Sequence, residues 1–209
     1  AHIARSTRAP HRAGRASRAG GSPRRAPHAP PPASAQACYA DAVRLEVKDS
    51  ASASIERGHP WVYREALRKP PAHLETGAVV ELADGRGRFL GRGLWDAGSP
   101  IAVRVHERDA ATQLDVASFA KRLEAAFALR ARLFDAADTD AYRLVNGEGD
   151  RIPGLVIDRY RDTAVLRLDG DALTPWIEAL RGPLAKICNA HGIRSGGVRV
   201  PTRPPHPRH

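Results

Sequence analysis

The 209-residue sequence predicts an α+β protein: a small β-barrel, then a compact α+β unit, between two basic tails without regular structure. Three observations carry this reading. Between residues 43 and 106, short runs alternate apolar and polar residues with turn chemistry between them, the pattern of a small barrel. From Val116 to Phe134 apolar residues recur at helical spacing, and short strands follow. Both ends are rich in Arg, Pro and small residues, lack periodicity, and carry too few large apolar side chains to offset the entropy of ordering.

Each element has its own signal. Val43-Arg44-Leu45-Glu46-Val47 alternates as a half-buried strand does. Ser50–Ser54 reads as a small-residue connection. Gly58-His59-Pro60-Trp61-Val62-Tyr63 leads into a helical turn at Arg64–Leu67, which Lys69-Pro70-Pro71 stops. Ala78–Leu82 is a strand, Asp84-Gly85 a hairpin turn, and Arg88–Trp95 the return strand. Gly91 and Gly93 predict a bulge or a tight bend. Ile101–His106 closes the set. Asp115 caps a helix whose apolar face holds Phe119, Leu123, Phe127 and Phe134. Arg143–Val145, Leu155–Asp158 and Ala164–Leu168 are short strands. Thr174 and Pro175 open a last helix, which Gly182-Pro183 interrupts.

A formal charge of +10 points to a polyanionic partner. Its location matters more than its size. Residues 1–37 hold seven arginines and residues 193–209 hold four, with no acid in either; residues 38–192 hold 22 basic and 23 acidic residues. The excess therefore lies in the tails, which read as an RNA-binding basic arm, a targeting segment, or inert and non-native sequence. Prolines oppose the amphipathic helix of a transit peptide, and 4 lysines among 33 basic residues fit a GC-rich source. The lack of methionine leads to the expectation of a processed chain or a fragment. No apolar run approaches the ~18 residues of a membrane span. Two cysteines cannot build a disulfide scaffold or a four-cysteine zinc site.

No catalytic constellation stands out. Gly85-x-Gly87, Gly91-x-Gly93 and Gly147-x-Gly149 each lack a third glycine and read as turns rather than cofactor loops. Cys188 has no evident base, and Glu148 with Asp150 are too few carboxylates for a metal loop. The expectation is no catalytic, cofactor or metal residue. Arg57, Arg64, Arg86, Arg88, Arg92 and Arg104 interleave with Trp61, Tyr63, Phe89 and Trp95. Arginines and aromatics on a small barrel hold phosphates and stack bases; alternatively the rings fill the core and the arginines form a solvated face. With His59 on its loop, either a base contact or a turn histidine, these arginines are the candidate RNA contacts.

The stretch Tyr142-Arg143-Leu144-Val145-Asn146-Gly147-Glu148-Gly149-Asp150-Arg151-Ile152-Pro153-Gly154-Leu155-Val156-Ile157-Asp158-Arg159-Tyr160 resembles the RLVxGExDxLPGLxVDxY motif of S-adenosylmethionine-dependent rRNA (cytosine-5) methyltransferases of bacteria. Its motif positions are Arg143, Glu148, Asp150, Pro153, Gly154 and Asp158. Gly58–Tyr63 is similar to that family's HPWVF stretch, and Ser99–Val105 to its SxIxxRV strand. The resemblance covers roughly 43–180 and implies a PUA-like RNA-binding barrel at 42–109 and a β-β-α-β-β central domain at 110–192. Residues 1–41 and 193–209 are expected to be disordered tails, and the family's Rossmann-like catalytic domain to be absent. The implied function is the RNA-binding part of a 23S rRNA cytosine-5 methyltransferase, inactive alone and cytoplasmic. Its partner is rRNA, with no membrane and no metal; S-adenosylmethionine is implied for the full-length family only. Two alternatives stand beside it: a free-standing RNA-binding adaptor without chemistry, and a nonspecific binder working through its tails.

Overall fold

The computed structural model describes residues 42–135 and 137–199. The expected tail at 1–41 and residues 200–209 lie outside them. Strands β1 (Val43–Glu46), β2 (Trp61–Tyr63), β3 (Val79–Ala83), β4 (Phe89–Trp95) and β5 (Ile101–Glu107) form one sheet in the order β1-β3-β4-β5-β2. β1 runs parallel to β3, and the other pairs are antiparallel. Just past β2 the chain returns to β1: Lys48 N–H donates to Ala66 O at 2.8 Å and Arg68 N–H to Glu46 O at 2.9 Å. This short ladder joins the two sheet edges.

Local chemistry explains the β3–β4 hairpin. The Asp84 carboxylate accepts the backbone N–H groups of Arg86 at 2.9 Å and Arg88 at 2.8 Å, which fixes the turn. The expected irregularity is present as a register shift at Arg92/Gly93. A Cβ on Gly93 would lie 2.2 Å from the carbonyl oxygen of Arg104, so only glycine lets β4 and β5 approach this closely. Inside the sheet, Leu45, Val62, Val80, Leu82, Trp95 and Val103 form the first core.

The second unit runs α2 (Val116–Leu133), β6 (Ala141–Asn146), β7 (Leu155–Tyr160), β8 (Thr163–Leu168), α3 (Ile177–Ala190) and β9 (Ser195–Arg199), once α1 (Asp49–Glu56) is placed in the first. The order is therefore α-β-β-β-α-β, which corrects the expected β-β-α-β-β. The residues between β5 and α2 form no strand, because the Arg92 guanidinium holds them as a loop. It donates to the carbonyls of Asp109 at 3.4 Å, Ala110 at 2.8 Å and Thr112 at 2.5 Å.

Phe119, Leu123 and Phe127 of α2 pack with Leu155, Ile157, Leu166 and Leu168 of the sheet and Leu180 and Ile187 of α3. Leu94 of β4 belongs to this core too, and Val79 packs against it. One end of the first sheet is thus covered on both faces, which is why β4 is buried almost throughout instead of alternating.

Three further expectations are corrected. Ser50–Ser54 lies within helix α1, with Ser52 and Ile55 buried three residues apart on one face; its alanines favour the helix, and burial offsets the weaker propensity of its serines. Pro183 does not interrupt α3, which continues to Ala190 with Leu180 and Ile187 buried on either side of it. The expected tail at 193–209 begins instead with structure. Ile193 is buried, and β9 pairs in parallel with β8 from Thr163↔Ser195 to Arg167↔Arg199. Backbone pairing needs no side-chain alternation, so Ser195-Gly196-Gly197 joins a sheet that its composition does not announce.

Candidate nucleic-acid interface

The arginines expected to meet RNA divide into two groups. Arg57, at the C-terminal cap of α1, and Arg86, at the hairpin tip, are exposed. Arg88 is exposed as well and pairs with Glu56 and Asp84. His59 is an exposed turn residue whose Nδ1 accepts the Trp61 N–H at 3.2 Å.

Arg64 is a clamp. It donates to the carbonyls of Asp96, Ala97 and Ser99 at 2.7, 2.9 and 3.1 Å, with its guanidinium 4.7 Å from the Trp95 ring centre. Arg92 and Arg104 are buried, which withdraws both from the set of surface contacts. Arg92 bonds Glu81 and the inter-unit loop. Arg104 lies 3.4 Å from both Glu148 and Asp169, beneath the Trp61 ring. A buried cation needs such partners, and those partners fix where it sits.

The motif around 143–158 lies at the junction of the units. Glu148 accepts Trp61 Nε1–H at 2.7 Å and so links β2 to the second unit. Asp150 takes a bidentate pair from Arg130 at 2.6 and 2.8 Å and also the Asn146 N–H at 2.6 Å. Arg143 Nε donates to Asp158 at 2.9 Å across β6 and β7. Pro153 and Gly154 are buried. A Cβ on Gly154, at φ 86°, would lie 3.2 Å from Asp169 O and 3.3 Å from Arg104 Cδ.

Reasoning from sequence passed over a second cluster, at the end of β5. Glu107 is buried; its Oε1 accepts the N–H groups of Arg108 at 2.8 Å and Asp109 at 2.9 Å, and its Oε2 accepts Arg122 at 2.7 Å. Burial opposes its ionisation, but these hydrogen bonds and the charges of Arg122 and Arg151 hold its carboxyl below the usual range. Beside it His106 is buried, and neither of its ring nitrogens has a hydrogen-bond partner among the described residues. Burial first, then the charges of Arg122 and Arg104, push its pKa down to about 3. Nothing local in the sequence marks these residues, because tertiary packing alone brings β5, α2 and the turn before β7 together.

The described glycine pairs sit at the hairpin tip, within β4 and in the 3-10 turn Gly147–Asp150. None joins a strand to the N-terminus of a following helix, as a nucleoside-cofactor cradle requires. Among the described residues these glycine pairs therefore form no cradle for S-adenosylmethionine.

Comparison with known proteins matches this geometry. Residues 45–108 fit the family model of a PUA-like domain. That domain takes in the first sheet from the end of β1 to the end of β5. The chain is 43% identical over 151 residues to a ribosomal RNA large subunit methyltransferase of Deinococcus radiodurans, covering 70% of this chain and 37% of that protein. It is 40% identical over 115 residues to ribosomal RNA large subunit methyltransferase I of Tolumonas auensis, covering 55% and 29%. The chain thus spans well under half the length of these relatives. Among solved structures, a Streptococcus mutans protein regarded as an S-adenosylmethionine-dependent methyltransferase aligns with a TM-score of 0.66 at 20% identity, covering 76% of this chain and 40% of that one. Another, regarded as a methyltransferase and solved with SAH, aligns with a TM-score of 0.63 at 19% identity, covering the same shares. At these identities the solved structures show a shared fold.

Proposed function

We propose that this chain is the RNA-binding portion, PUA-like domain plus central unit, of an S-adenosylmethionine-dependent 23S rRNA cytosine-5 methyltransferase of the cytoplasm, and that it transfers no methyl group alone. The observation that carries the reading is the 43% identity over 151 residues to an rRNA large subunit methyltransferase, of which the matched part is 37%. The exposed Arg57, His59, Arg86 and Arg88 on the first unit supply candidate phosphate and base contacts. The junction at Glu148 and Arg104 supports a division of labour in which both units meet one RNA at a set angle.

The test pairs two assays on the purified chain. Salt-dependent binding to a large-subunit rRNA transcript is expected, with no methyl transfer from S-adenosylmethionine. Absence of RNA binding overturns the reading. Methyl turnover overturns the claim of inactivity and leaves RNA binding standing.

A further inference from the structure

We infer that the cleft lined by Lys121, Arg122 and Arg151 around Glu107 is a phosphate-binding site for the backbone of a single-stranded RNA segment. This rests on the RNA-binding reading above and deepens it by naming a site.

The cleft is an open hollow of about 520 Å³ between the end of β5, helix α2 from Ser118 to Leu129 and the turn at Gly149–Arg151. Its charges do not balance. Glu107 is paired closely with Arg122 alone; Arg151 lies 3.9 Å from the same carboxylate, with its side chain 69% exposed. Beside the hollow, Arg108 directs its guanidinium to two neutral acceptors, Ile55 O at 2.7 Å and His59 O at 3.1 Å, and feels the Glu107 charge only from a distance. Lys121 lines the hollow, is exposed, and has no ion pair among the described residues.

Of the other acids lining the hollow, Asp150 is neutralised by Arg130, while Asp109 accepts Ala111 N–H at 3.0 Å and Thr112 Oγ1–H at 2.7 Å and keeps its charge. Against Glu107 and Asp109 stand Lys121, Arg122 and Arg151 in the lining and Arg108 beside it. The arginines also repel one another: burial first and then the charge of Arg151 lower the pKa of Arg108, and Arg151 acts on Arg122 in the same direction. An anion entering the hollow relieves that repulsion.

The backbone adds to this. Arg151 sits at φ 61°, a left-handed conformation that favours glycine, so a long cationic side chain projects from a position where an arginine is disfavoured. Arg108 also joins the end of β5 to the His59 loop, which follows Arg57 at the end of α1. Guanidinium and ammonium groups arranged this way hold phosphate oxygens without reading sequence.

The experiment is equilibrium binding of a mixed-sequence RNA of about 12 nucleotides to the full chain, between about 50 and 200 mM salt. Lys121→Ala/Arg151→Ala is compared with the parent, and thermal unfolding is followed for both. Two lost phosphate contacts predict a weakening of about tenfold and a salt slope shallower by about 1.4. Arg151→Lys restores most of the binding. If the parent binds RNA and the double variant matches it within about twofold at the same slope, the site is overturned while the RNA-binding reading survives. If the parent binds no RNA, both fall. Tighter binding of polyglutamate than of RNA at this cleft overturns the RNA assignment in favour of an acidic protein segment.

Discussion

Two open hollows flank helix α2 and share Leu129: one of about 520 Å³ around Glu107, the other of about 630 Å³ around Tyr142. Both are rich in arginine, and they differ in the acids that stand around those arginines. In the Tyr142 groove, Arg143 pairs with Asp158 at 2.9 Å and Arg159 donates to Tyr142 Oη at 3.1 Å; beside the groove, Arg161 pairs with Asp140 at 3.1 Å. Asp135 and Asp138 stand in the same approach loop as Asp140. Its aromatics look inviting for bases: Phe134 stacks on Tyr142 at 4.5 Å and Tyr160 is 55% exposed. A polyanion would still meet aspartates there. What distinguishes an anion site is the surplus of cations over the acids they face, and arginine number alone does not measure it.

Four experiments test that contrast, taken from the largest effect down. Arg122→Ala leaves the buried Glu107 without its closest ion-pair partner and should cost about 3–5 kcal/mol in denaturant unfolding. A cost below about 1 kcal/mol would mean that the cleft is far wetter than its geometry implies.

His106, behind the same wall, should make the fold acid-sensitive. Its folded pKa, about 3, lies below the ordinary imidazole value of 6.5, so between pH 6.5 and 3 the unfolded chain binds the proton and the folded chain does not. Stability therefore falls as pH drops from 6.5 towards 3, by about 1.4 kcal/mol per pH unit from this group. His106→Phe should flatten that part of the profile, measured as unfolding free energy against pH. An unchanged slope would show that the group titrates normally.

The third experiment asks the two hollows the same question. Arg143→Ala/Tyr160→Ala, in the Tyr142 groove, should leave RNA affinity within about twofold, where Lys121→Ala/Arg151→Ala loses about tenfold. Equal losses would erase the distinction. The smallest effect is the most specific: Arg151→Gly should raise stability by about 1 kcal/mol by relieving the left-handed backbone, while weakening RNA binding. A variant that is less stable would place Arg151 among the groups that hold the cleft together.

Much of the fold was legible because its signals are local. Asp84-Gly85 announces the hairpin that the Asp84 carboxylate then braces. Asp115 caps α2 in a box with Ser118, and Phe119, Leu123 and Phe127 are all buried as the helical spacing requires. Phe134 departs from that pattern: it lies one residue past the helix, 41% exposed. Elements that depend on distant partners were not legible. Helix α1 exists because Ile55 finds a core, and β9 because β8 offers a free edge.

The candidate site divides in the same way. Arg57 and Arg86 sit on the surface, as interleaved arginines suggest. Arg92 and Arg104 have the same local sequence character yet are buried, because Glu81 and Glu148 come to them from elsewhere in the chain. Lys121, Arg122 and Arg151 went unremarked for the converse reason: their shared surplus exists only once α2 and the Gly147–Asp150 turn meet the end of β5.

The Arg92 clasp on the loop at 109–112 has a consequence for any RNA that spans the two units. Three carbonyls are tied to one buried guanidinium, so a pivot of one unit against the other that moved this loop would have to break those bonds. The bending falls to the RNA. A single strand or an open loop bends at little cost and a stiff duplex does not, so a side chain that touches no nucleotide would favour pliable targets over rigid ones.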